Sequence, residues 1–367
     1  MKFPGSAVDT MDGQNRHREY RAHILKKTLF IVFSFLAVVA LALYSLTLGA
    51  SDIPVSEIIE IIRDTLDGVN YEAYSHRWLD QGTIIDIRMP RVIFAIVCGG
   101  SLAVGGTAMQ SVMRNPLADP FTTGVSSAAM FGGAVAMILG LSIASGYGDQ
   151  YGVAMNALIF SMIPVILILF LSPYTKKSPA TLILAGVAIS FFFSALRTML
   201  MVMTDEETLA TVYHWQIGSL DDLKWSYLPL PMATTIVGTT LLIAISNKLN
   251  ILSTSDEDAR SLGVDPETLR IVALVILSAM TATVVIFVGV IGFVGLVIPH
   301  IVRLVIGSDN RFVIPGSFFF GAAFLLFCDV VSRHISDIGT VPVGIVVSFI
   351  GGALFLVLLF KQRSKVW

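Results

Sequence analysis

The stretch RMPRVIFAIVCGGSLAVGGTAMQSVMRNPLADPFTTG, residues 88–124, decides the fold of this chain. It begins with two arginines that flank Met-Pro, continues as an apolar run, and ends in a turn that contains two prolines. The run is long enough to cross a bilayer as a helix. Its small residues let a neighbouring helix approach closely, and such packing drives helix association in lipid. They are Gly99, Gly100, Ser101, Ala103, Gly105, Gly106 and Ala108. We predict a slim transmembrane helix here, although composition alone equally allows an ordinary packing helix.

The composition of the whole chain supports a membrane location. Of its 367 residues, 55% are hydrophobic and only 14% are charged. Soluble domains carry about 25% charged residues, so the chain is predicted to be a polytopic membrane protein. The net charge of −2 and the lack of a long basic tract exclude a nucleic-acid partner. Cys98 and Cys328 lie in apolar runs and indicate neither a disulfide framework nor a metal site.

The order of apolar runs predicts about ten spans with both termini in the cytoplasm. Arginines and lysines concentrate just before the first span, which places the N-terminus inside. Residues 1–27 form a polar tail, residues 28–361 a transmembrane domain, and residues 362–367 a second tail. The spans cover the opening stretch and residues 28–48, 124–141, 151–172, 179–203, 228–247, 271–290, 296–306 (a short helix), 312–332 and 341–360.

Two short segments outside the spans are also predicted. An amphipathic outer helix runs from Pro54 to Leu66, after Asp52 as its cap. Its apolar side consists of Ile58, Ile59, Ile61 and Ile62. The turn at residues 173–177 carries two lysines, which place it inside.

The sequence lacks the common enzyme motifs and has few of the buried ionisable residues that a secondary carrier usually needs. There is no phosphate-binding G-x-x-x-x-G-K-[ST] loop, no H-E-x-x-H and no G-x-S-x-G, so nucleotide hydrolysis and intramembrane enzyme chemistry are not indicated. Ionisable residues within the spans are few: Arg197, His300, Arg303 and Asp329. An ion-coupled carrier usually needs a relay of buried carboxylates or histidines, and the supply here is thin.

The longest predicted cytoplasmic connection between spans is NILSTSDEDARSLGVDPETLR, residues 250–270. Acidic residues near a helix start suit the positive end of the helix dipole, and a glycine follows where a helix could end. A short helix of this kind could dock into a groove of a partner protein. A solvated loop with a fortuitous helix is the alternative.

Several separated motifs together resemble the FecCD-type permease subunits of type II ABC importers, which move ferric siderophores, haem and cobalamin. The motifs are Arg88-Met89-Pro90-Arg91, Arg114-Asn115-Pro116-Leu117-Ala118-Asp119-Pro120, Gly124-Val125-Ser126, Trp215 with Gly218-Ser219, Ala259-Arg260-Ser261-Leu262-Gly263-Val264, Gly295-Leu296-Val297-Ile298-Pro299-His300 with Arg303, and Pro342-Val343-Gly344. The resemblance covers nearly all of residues 28–361. The outer loop from Gly68 to Asp86 is longer than the family pattern, and Ala353 stands where the family often has proline.

The resemblance implies an all-α fold with ten spans and a set of partners. A second permease subunit, expected to be an identical chain, would form a dimer with the pathway along its axis. Two ATPase subunits would bind ATP and Mg²⁺, so this chain would carry no cofactor and would not itself be an enzyme. A substrate-binding protein would deliver the substrate on the outer side of the cytoplasmic membrane.

The resemblance also assigns candidate residues. The ATPase-coupling segment comprises Asp256, Glu257, Ala259, Arg260, Ser261, Leu262, Gly263 and Val264. The arginines expected to meet glutamates of the binding protein are Arg88, Arg91 and Arg333, although arginines at span ends also serve as simple anchors. The pathway candidates are Arg197, Met199, Met201 and Met203, for which ordinary packing is the alternative. His300 is read as structural, and no metal site is expected.

The function expected from this resemblance is the permease of an ATP-driven importer for a metal chelate, either a ferric siderophore or haem. Within the same class, cobalamin is the nearest alternative and a molybdate-type oxyanion a more distant one. A self-sufficient secondary carrier is the alternative from another class. Substrate choice depends mostly on the binding protein, so the permease sequence leaves it open.

Overall fold

The computed structural model describes residues 6–49, 51, 53–69, 71–142, 149–171, 179–335 and 341–363, and this part of the chain folds into α-helices without strands. The predicted all-α fold is confirmed. The helices are α1 Ser6–Thr47, α2 Val55–Leu66, α3 His76–Gly82, α4 Met89–Met113, α5 Val125–Leu139, α6 Asp149–Leu171, α7 Pro179–Val202, α8 Glu206–Ile217, α9 Pro229–Ala244, α10 Ser246–Leu252, α11 Asp256–Ser261, α12 Pro266–Val288, α13 Val294–Ile306, α14 Asn310–His334 and α15 Val343–Arg363. A π-helical turn, Thr83–Arg88, leads directly into α4.

Within the described residues, six helices are long and apolar enough to cross a membrane. They are Arg21–Thr47, His76–Met113, Leu184–Val202, Trp225–Ala244, Pro266–Val288 and Asn310–His334. Four shorter apolar helices follow the remaining predicted spans, at Val125–Leu139, Gly152–Ile168, Val294–Ile306 and Val343–Leu358. The order of apolar helices therefore follows the predicted order, and the number that actually crosses the bilayer stays a prediction.

Helix α4, formed by the opening stretch, lies at the centre of the bundle. It packs against α14, α12 and α13, and nearly all of its side chains are buried. Its glycines allow backbone contact: a Cβ added to Gly106 would collide with the carbonyl oxygen of Gly295, and one added to Gly99 would collide with that of Gly321. The small-residue run is thus a packing surface on which two other helices meet α4.

Some boundaries differ from the prediction. Helix α1 is continuous from Ser6, so most of the predicted N-terminal tail extends the first helix. The predicted sixth span is divided at Ile245 into α9 and α10. The amphipathic helix predicted from Pro54 to Leu66 is confirmed as α2, with Ile58 and Ile61 buried, but Ile59 is 56% exposed and does not belong to the buried side. Its location on the outer side stays a prediction. The predicted cap Asp52 and the turn at residues 173–177 lie outside the described residues.

The contact between α4 and α13 predicts opposite effects of alanine at two adjacent glycines. Gly106→Ala places a methyl group on the Gly295 carbonyl, which cannot move without shifting α13. We expect overpacking to lower the free energy of unfolding by about 1–3 kcal/mol. In Gly105→Ala the new Cβ lies at 3.5 Å from Pro120 Cγ, an ordinary contact, so this control should match or slightly exceed the wild type. Thermal unfolding of the purified chain in detergent measures both, and equal midpoints would contradict the proposed packing.

Candidate functional site

The predicted coupling segment forms the short helix α11 and a tight exit from it. The Ser255 side chain caps the helix by accepting a hydrogen bond of 2.9 Å from the Asp258 amide. At the other end Gly263 adopts a left-handed conformation with φ +75°, and the Val264 amide donates to the Ala259 carbonyl at 2.8 Å. The capping serine, the acidic first turn and the glycine together explain why this polar connection is helical.

The surface of this segment is apolar at one point and charged around it. Ala259, on the side of α11 that faces the bundle, is completely buried, whereas Leu262 at the end of the helix is 64% exposed. A Cβ at Gly263 would meet no atom within 4 Å, so the surface beside Leu262 is open. The other exposed members of the predicted set are Glu257, Arg260 and Ser261, and Val264 is half-buried. This arrangement is a projecting apolar side chain with a polar rim, which suits a groove in a partner protein.

Asp256 faces the bundle and anchors the segment to it. Its carboxylate accepts hydrogen bonds from Arg270 Nη1 at 3.1 Å and Nη2 at 2.5 Å, and Arg114 Nη2 lies at 3.1 Å. The hydrogen bonds from Arg270, and then the charges of both arginines, lower the pKa of Asp256 below its usual range. Arg270 also donates from Nε to the Val112 carbonyl at 3.4 Å. One carboxylate therefore links α11 to the start of α12 and to the end of α4.

This anchor was only partly visible in the sequence. Arg114 lies in a recognised motif, and Arg270 is the last residue of the polar segment 250–270. The sequence does not indicate that either arginine pairs with Asp256. Asp256 belongs to the segment predicted to contact the ATPase, whereas its carboxylate is engaged by two arginines of the same bundle. The available signal was a pair of arginines at helix ends opposite a run of three acidic residues, Asp256, Glu257 and Asp258.

At the opposite end of α4, two of the predicted docking arginines share one buried carboxylate. Arg91 Nε donates to Asp329 Oδ1 at 2.8 Å, and Arg333 Nη2 donates to Asp329 Oδ2 at 2.5 Å. Arg91 also pairs with Asp221, which lies in the connection between α8 and α9. The Asp329 side chain has no solvent exposure, and those of Arg91 and Arg333 are 12% and 10% exposed. The cluster joins α4, α14 and the connection that follows α8.

Arg88 and Arg333 additionally hold the C-terminal end of α1. Arg88 donates to the Leu46 carbonyl at 2.7 Å and to the Ser51 carbonyl at 2.6 Å, and Arg333 donates to the Ser45 carbonyl at 3.0 Å. The last carbonyls of a helix have no partner within it, so these bonds complete α1. Arg88 is only 4% exposed. Its burial argues against the docking role expected from the sequence and favours anchoring, and contact of Arg91 and Arg333 with a binding protein stays a prediction.

The four pathway candidates lie on or just after α7. Arg197 donates from Nη1 to the Met130 sulfur at 3.1 Å, and among the described residues it forms no ion pair. Met199 and Met203 are 61% and 73% exposed, whereas Met201 is half-buried and accepts a bond from Gln216 Nε2 at 3.4 Å. Met199 and Met203 therefore project outward, whereas Arg197 is half-buried and turned toward Met130 of α5.

A cavity that sequence reasoning missed lies beside α8. It measures about 590 Å³, and the connection from Ser219 to Leu223 and helices α5, α6 and α12 also contribute to its wall. Aromatic and polar groups face it, among them His214, Trp215, Asp221, Asp222 and Tyr227. Trp215 fits against α5 because Gly133 has no side chain: a Cβ there would lie 2.6 Å from the indole Cη2. The cavity therefore adjoins the Arg91 cluster at this end of the bundle.

Two residues of the motif on α13, the buried His300 and the half-buried Arg303, lie largely within the bundle. His300 is 6% exposed. Arg303 donates from Nη2 to the Thr107 carbonyl at 3.1 Å, to Ser111 Oγ at 2.8 Å and to Asn310 Oδ1 at 3.2 Å. These contacts tie α13 to both α4 and α14, a role that the motif alone did not indicate.

Comparisons with known proteins agree with this architecture. The profile of the FecCD transport family matches residues 36–361. A Methanocaldococcus jannaschii relative, described as an ABC transporter permease protein, is 35% identical over 95% of this chain and 99% of its own length. The hemin transport system permease protein of Yersinia pestis is 34% identical over 92% and 97%. An inward-facing structure of a metal-chelate type ABC transporter superposes with a TM-score of 0.78 at 30% identity, over 90% of this chain and 98% of that chain. Other relatives are named for import of molybdate, cobalamin and iron(3+)-hydroxamate.

The shared carboxylate predicts a large loss of stability in Asp329→Asn. The change leaves Arg333 with carbonyl and hydroxyl partners only, and removal of one partner from a buried ion pair typically costs about 3–5 kcal/mol. Asp222→Asn removes the same charge from an exposed position nearby and should cost far less. The midpoint of thermal unfolding in detergent and the yield of folded protein measure the difference. Similar losses in both variants would show that Asp329 does not organise this end.

The anchor at the other end predicts a local effect. Asp256→Asn weakens the pairing with Arg114 and Arg270, and a hydrogen bond to a charged group is worth about 1.5–3 kcal/mol before solvent screening reduces it. We expect the amides of residues 256–264 to exchange with deuterium about tenfold faster than in the wild type. Asp258→Asn, in the same turn but with an exposed side chain, is the control. Unchanged exchange in Asp256→Asn would remove the anchoring role.

Proposed function

The chain belongs to the FecCD transport family of ABC importer permeases, and from this premise we propose that it moves a metal chelate, either a ferric siderophore or haem, across the cytoplasmic membrane. The observation that carries the proposal is the anchored, exposed coupling segment around Leu262, which has the form of a contact for a separate motor subunit. Membership in the family also removes the self-sufficient secondary carrier from the alternatives considered for the sequence.

In the proposed mechanism, this chain performs no chemistry on its substrate. Two ATPase subunits bind ATP with Mg²⁺ and move the exposed surface beside Leu262. The displacement reaches α4 and α12 through Asp256, because Arg114 and Arg270 grip that carboxylate from two different helices. A rigid short helix with charge-assisted bonds transmits such a displacement better than a solvated loop.

We further propose that a second permease subunit covers the exposed face of α7. Large apolar side chains project from it, including Phe191, Met199, Val202 and Met203. Arg197 lies on the same helix, where its charge could meet an anionic chelate in transit. The flexible methionines would offer a surface that accommodates a bulky ligand without holding it tightly. Tight binding is left to the substrate-binding protein on the outer side.

The proposed orientation places both termini and α11 in the cytoplasm. The basic residues just before the first apolar run support it through the positive-inside rule. Under this orientation the Arg91 cluster lies at the outer end of α4. Because both arginines of that cluster are engaged by Asp329, we propose that they shape the surface for the binding protein rather than supply free charges to it.

The names of the relatives do not single out one substrate. Their names include hemin, iron(3+)-hydroxamate, cobalamin and molybdate at comparable identity. A ferric chelate is preferred because two of these names concern iron compounds and the similar solved structure is of metal-chelate type. Cobalamin remains the second candidate.

Uptake by cells that lack the chain, with and without its restoration, tests the substrate. Labelled ferric siderophore, haem, cobalamin and molybdate are offered side by side, and we expect the restored chain to rescue the uptake of one iron compound. If it rescues the uptake of cobalamin or molybdate alone, the iron assignment is overturned but the permease assignment stands. If it rescues the uptake of none of them although it is present in the membrane, the proposed substrate class is overturned.

The coupling role predicts a selective loss in Leu262→Glu. A charge on the projecting side chain should prevent its burial in an ATPase groove, and loss of a central apolar contact of this kind costs about 2 kcal/mol or more. We expect uptake and substrate-stimulated ATP hydrolysis of the assembled complex to fall at least about tenfold, with normal membrane insertion. Thr254→Glu adds the same charge to an exposed position just before the helix and should retain activity. Full activity in Leu262→Glu would overturn the assignment of this segment.

A further inference from the structure

A second cavity lies at the same end of the bundle as α11, between α1, α13 and α14. Its volume is about 380 Å³. It belongs to this end because Asn250, at the C-terminal part of α10, donates to Asp309 in the cavity wall at 2.9 Å. The residues that line it are His23, Ile24, Lys26, Lys27, Val305, Ile306, Gly307, Asp309, Arg311 and Phe312. Neither the coupling segment nor the pathway candidates contribute to it.

The cavity wall carries an excess of positive charge. Three basic side chains line it, those of Lys26, Lys27 and Arg311, against one carboxylate, that of Asp309. Asp309 is already fully engaged, because Arg311 Nη2 donates to it at 2.7 Å, Lys27 Nζ lies at 3.9 Å, and it caps the start of α14. These bonds, led by those from Arg311, lower its pKa to about 2, so it stays ionised and cannot neutralise a further cation. Lys26 is exposed and forms no ion pair among the described residues.

An aromatic ring holds two of these cations at the cavity. Lys27 Nζ lies 4.8 Å from the centre of the Phe312 ring, and the guanidinium carbon of Arg311 lies 6.0 Å from it. Cations near an aromatic face are held by its quadrupole, which restricts where their side chains can go. The positive charges therefore converge on the cavity.

One side of the cavity continues into the apolar surface of the spans. Ile24, Val305 and Phe312 form part of its wall. Beyond them, Leu25 and Leu29 on α1 and Leu304 on α13 are 59%, 57% and 57% exposed. A ligand that fills both parts must have an anionic head and an apolar tail.

We propose that this cavity binds the headgroup phosphate of an anionic phospholipid, with its acyl chain along α1 and α13. Basic pockets between transmembrane helices at a membrane boundary have the chemistry that such headgroups require. The bound lipid would join α1 to the α13–α14 connection at the level where α10 also attaches. It would therefore stabilise the end of the bundle that carries the coupling segment.

Lipid retention by the purified full-length chain tests the proposal. The wild type is exchanged into detergent with equal amounts of phosphatidylglycerol and phosphatidylcholine, and native mass spectrometry counts the lipids that remain bound. We expect preferential retention of phosphatidylglycerol and a drop of about fivefold in its apparent affinity for each basic charge removed, in Lys26→Gln and in Lys26→Gln/Arg311→Gln. Lys248→Gln removes an exposed lysine at the same end but outside the cavity, and should behave as the wild type.

The single variant protects the test against misfolding, because Lys26 takes no part in any described ion pair, whereas Arg311 also pairs with Asp309. Equal retention of the two lipids by the wild type, or equal retention of phosphatidylglycerol by wild type and Lys26→Gln, would overturn the proposal. Competition separates a lipid site from a plain anion site. Inorganic phosphate and glycerol 3-phosphate should fail to displace the lipid at millimolar concentration, and displacement by either one would show an anion site without a lipid tail.

Discussion

A carboxylate without access to solvent, Asp329, holds Arg91 of α4 and Arg333 of α14 at one end of the bundle. Two arginines in such a place are tolerable only when their charge is balanced, because unpaired buried charge is expensive. Their remaining bonds then reach further, from Arg91 to Asp221 and from Arg333 to the end of α1. The positions of α1, α4, α14 and the connection after α8 thus depend on one buried carboxylate.

The other end of α4 repeats this arrangement, again with one carboxylate between two arginines. There, Asp256 on the short helix α11 receives Arg114 from the end of α4 and Arg270 from α12. Between the two clusters, α4 is lined by glycines and small polar side chains, such as Thr107, which lies 3.0 Å from Ser317 on α14. A rigid central helix with an ionic joint at each end is the route that we propose between the ATPase subunits and the outer surface.

The sequence predicted the elements better than their contacts. Hydropathy and small-residue patterning identified α4 and the order of the apolar helices, because span length and periodicity are local properties. The end of the short helix at Gly263 was likewise predicted, since capping depends on neighbours in the chain, whereas the exposure of Leu262 was not. The partners of Arg88 and Asp256 were missed because they lie 42 and 14 residues away, respectively, and only packing brings them together. Local patterns also cannot reveal a cavity, such as the one beside Trp215.

The backbone contact at Gly106 also limits how this protein can move. A helix presents the same face about once per turn, so a slide of α4 by one turn, about 5.4 Å, would bring the side chain of Leu102 or Gln110 to the Gly295 carbonyl, where there is no room for it. The close contact between α4 and α13 therefore resists sliding of one helix along the other. A rearrangement that opens a passage is therefore easier at other seams, such as that of α7, which buries little of its surface against the bundle of this chain.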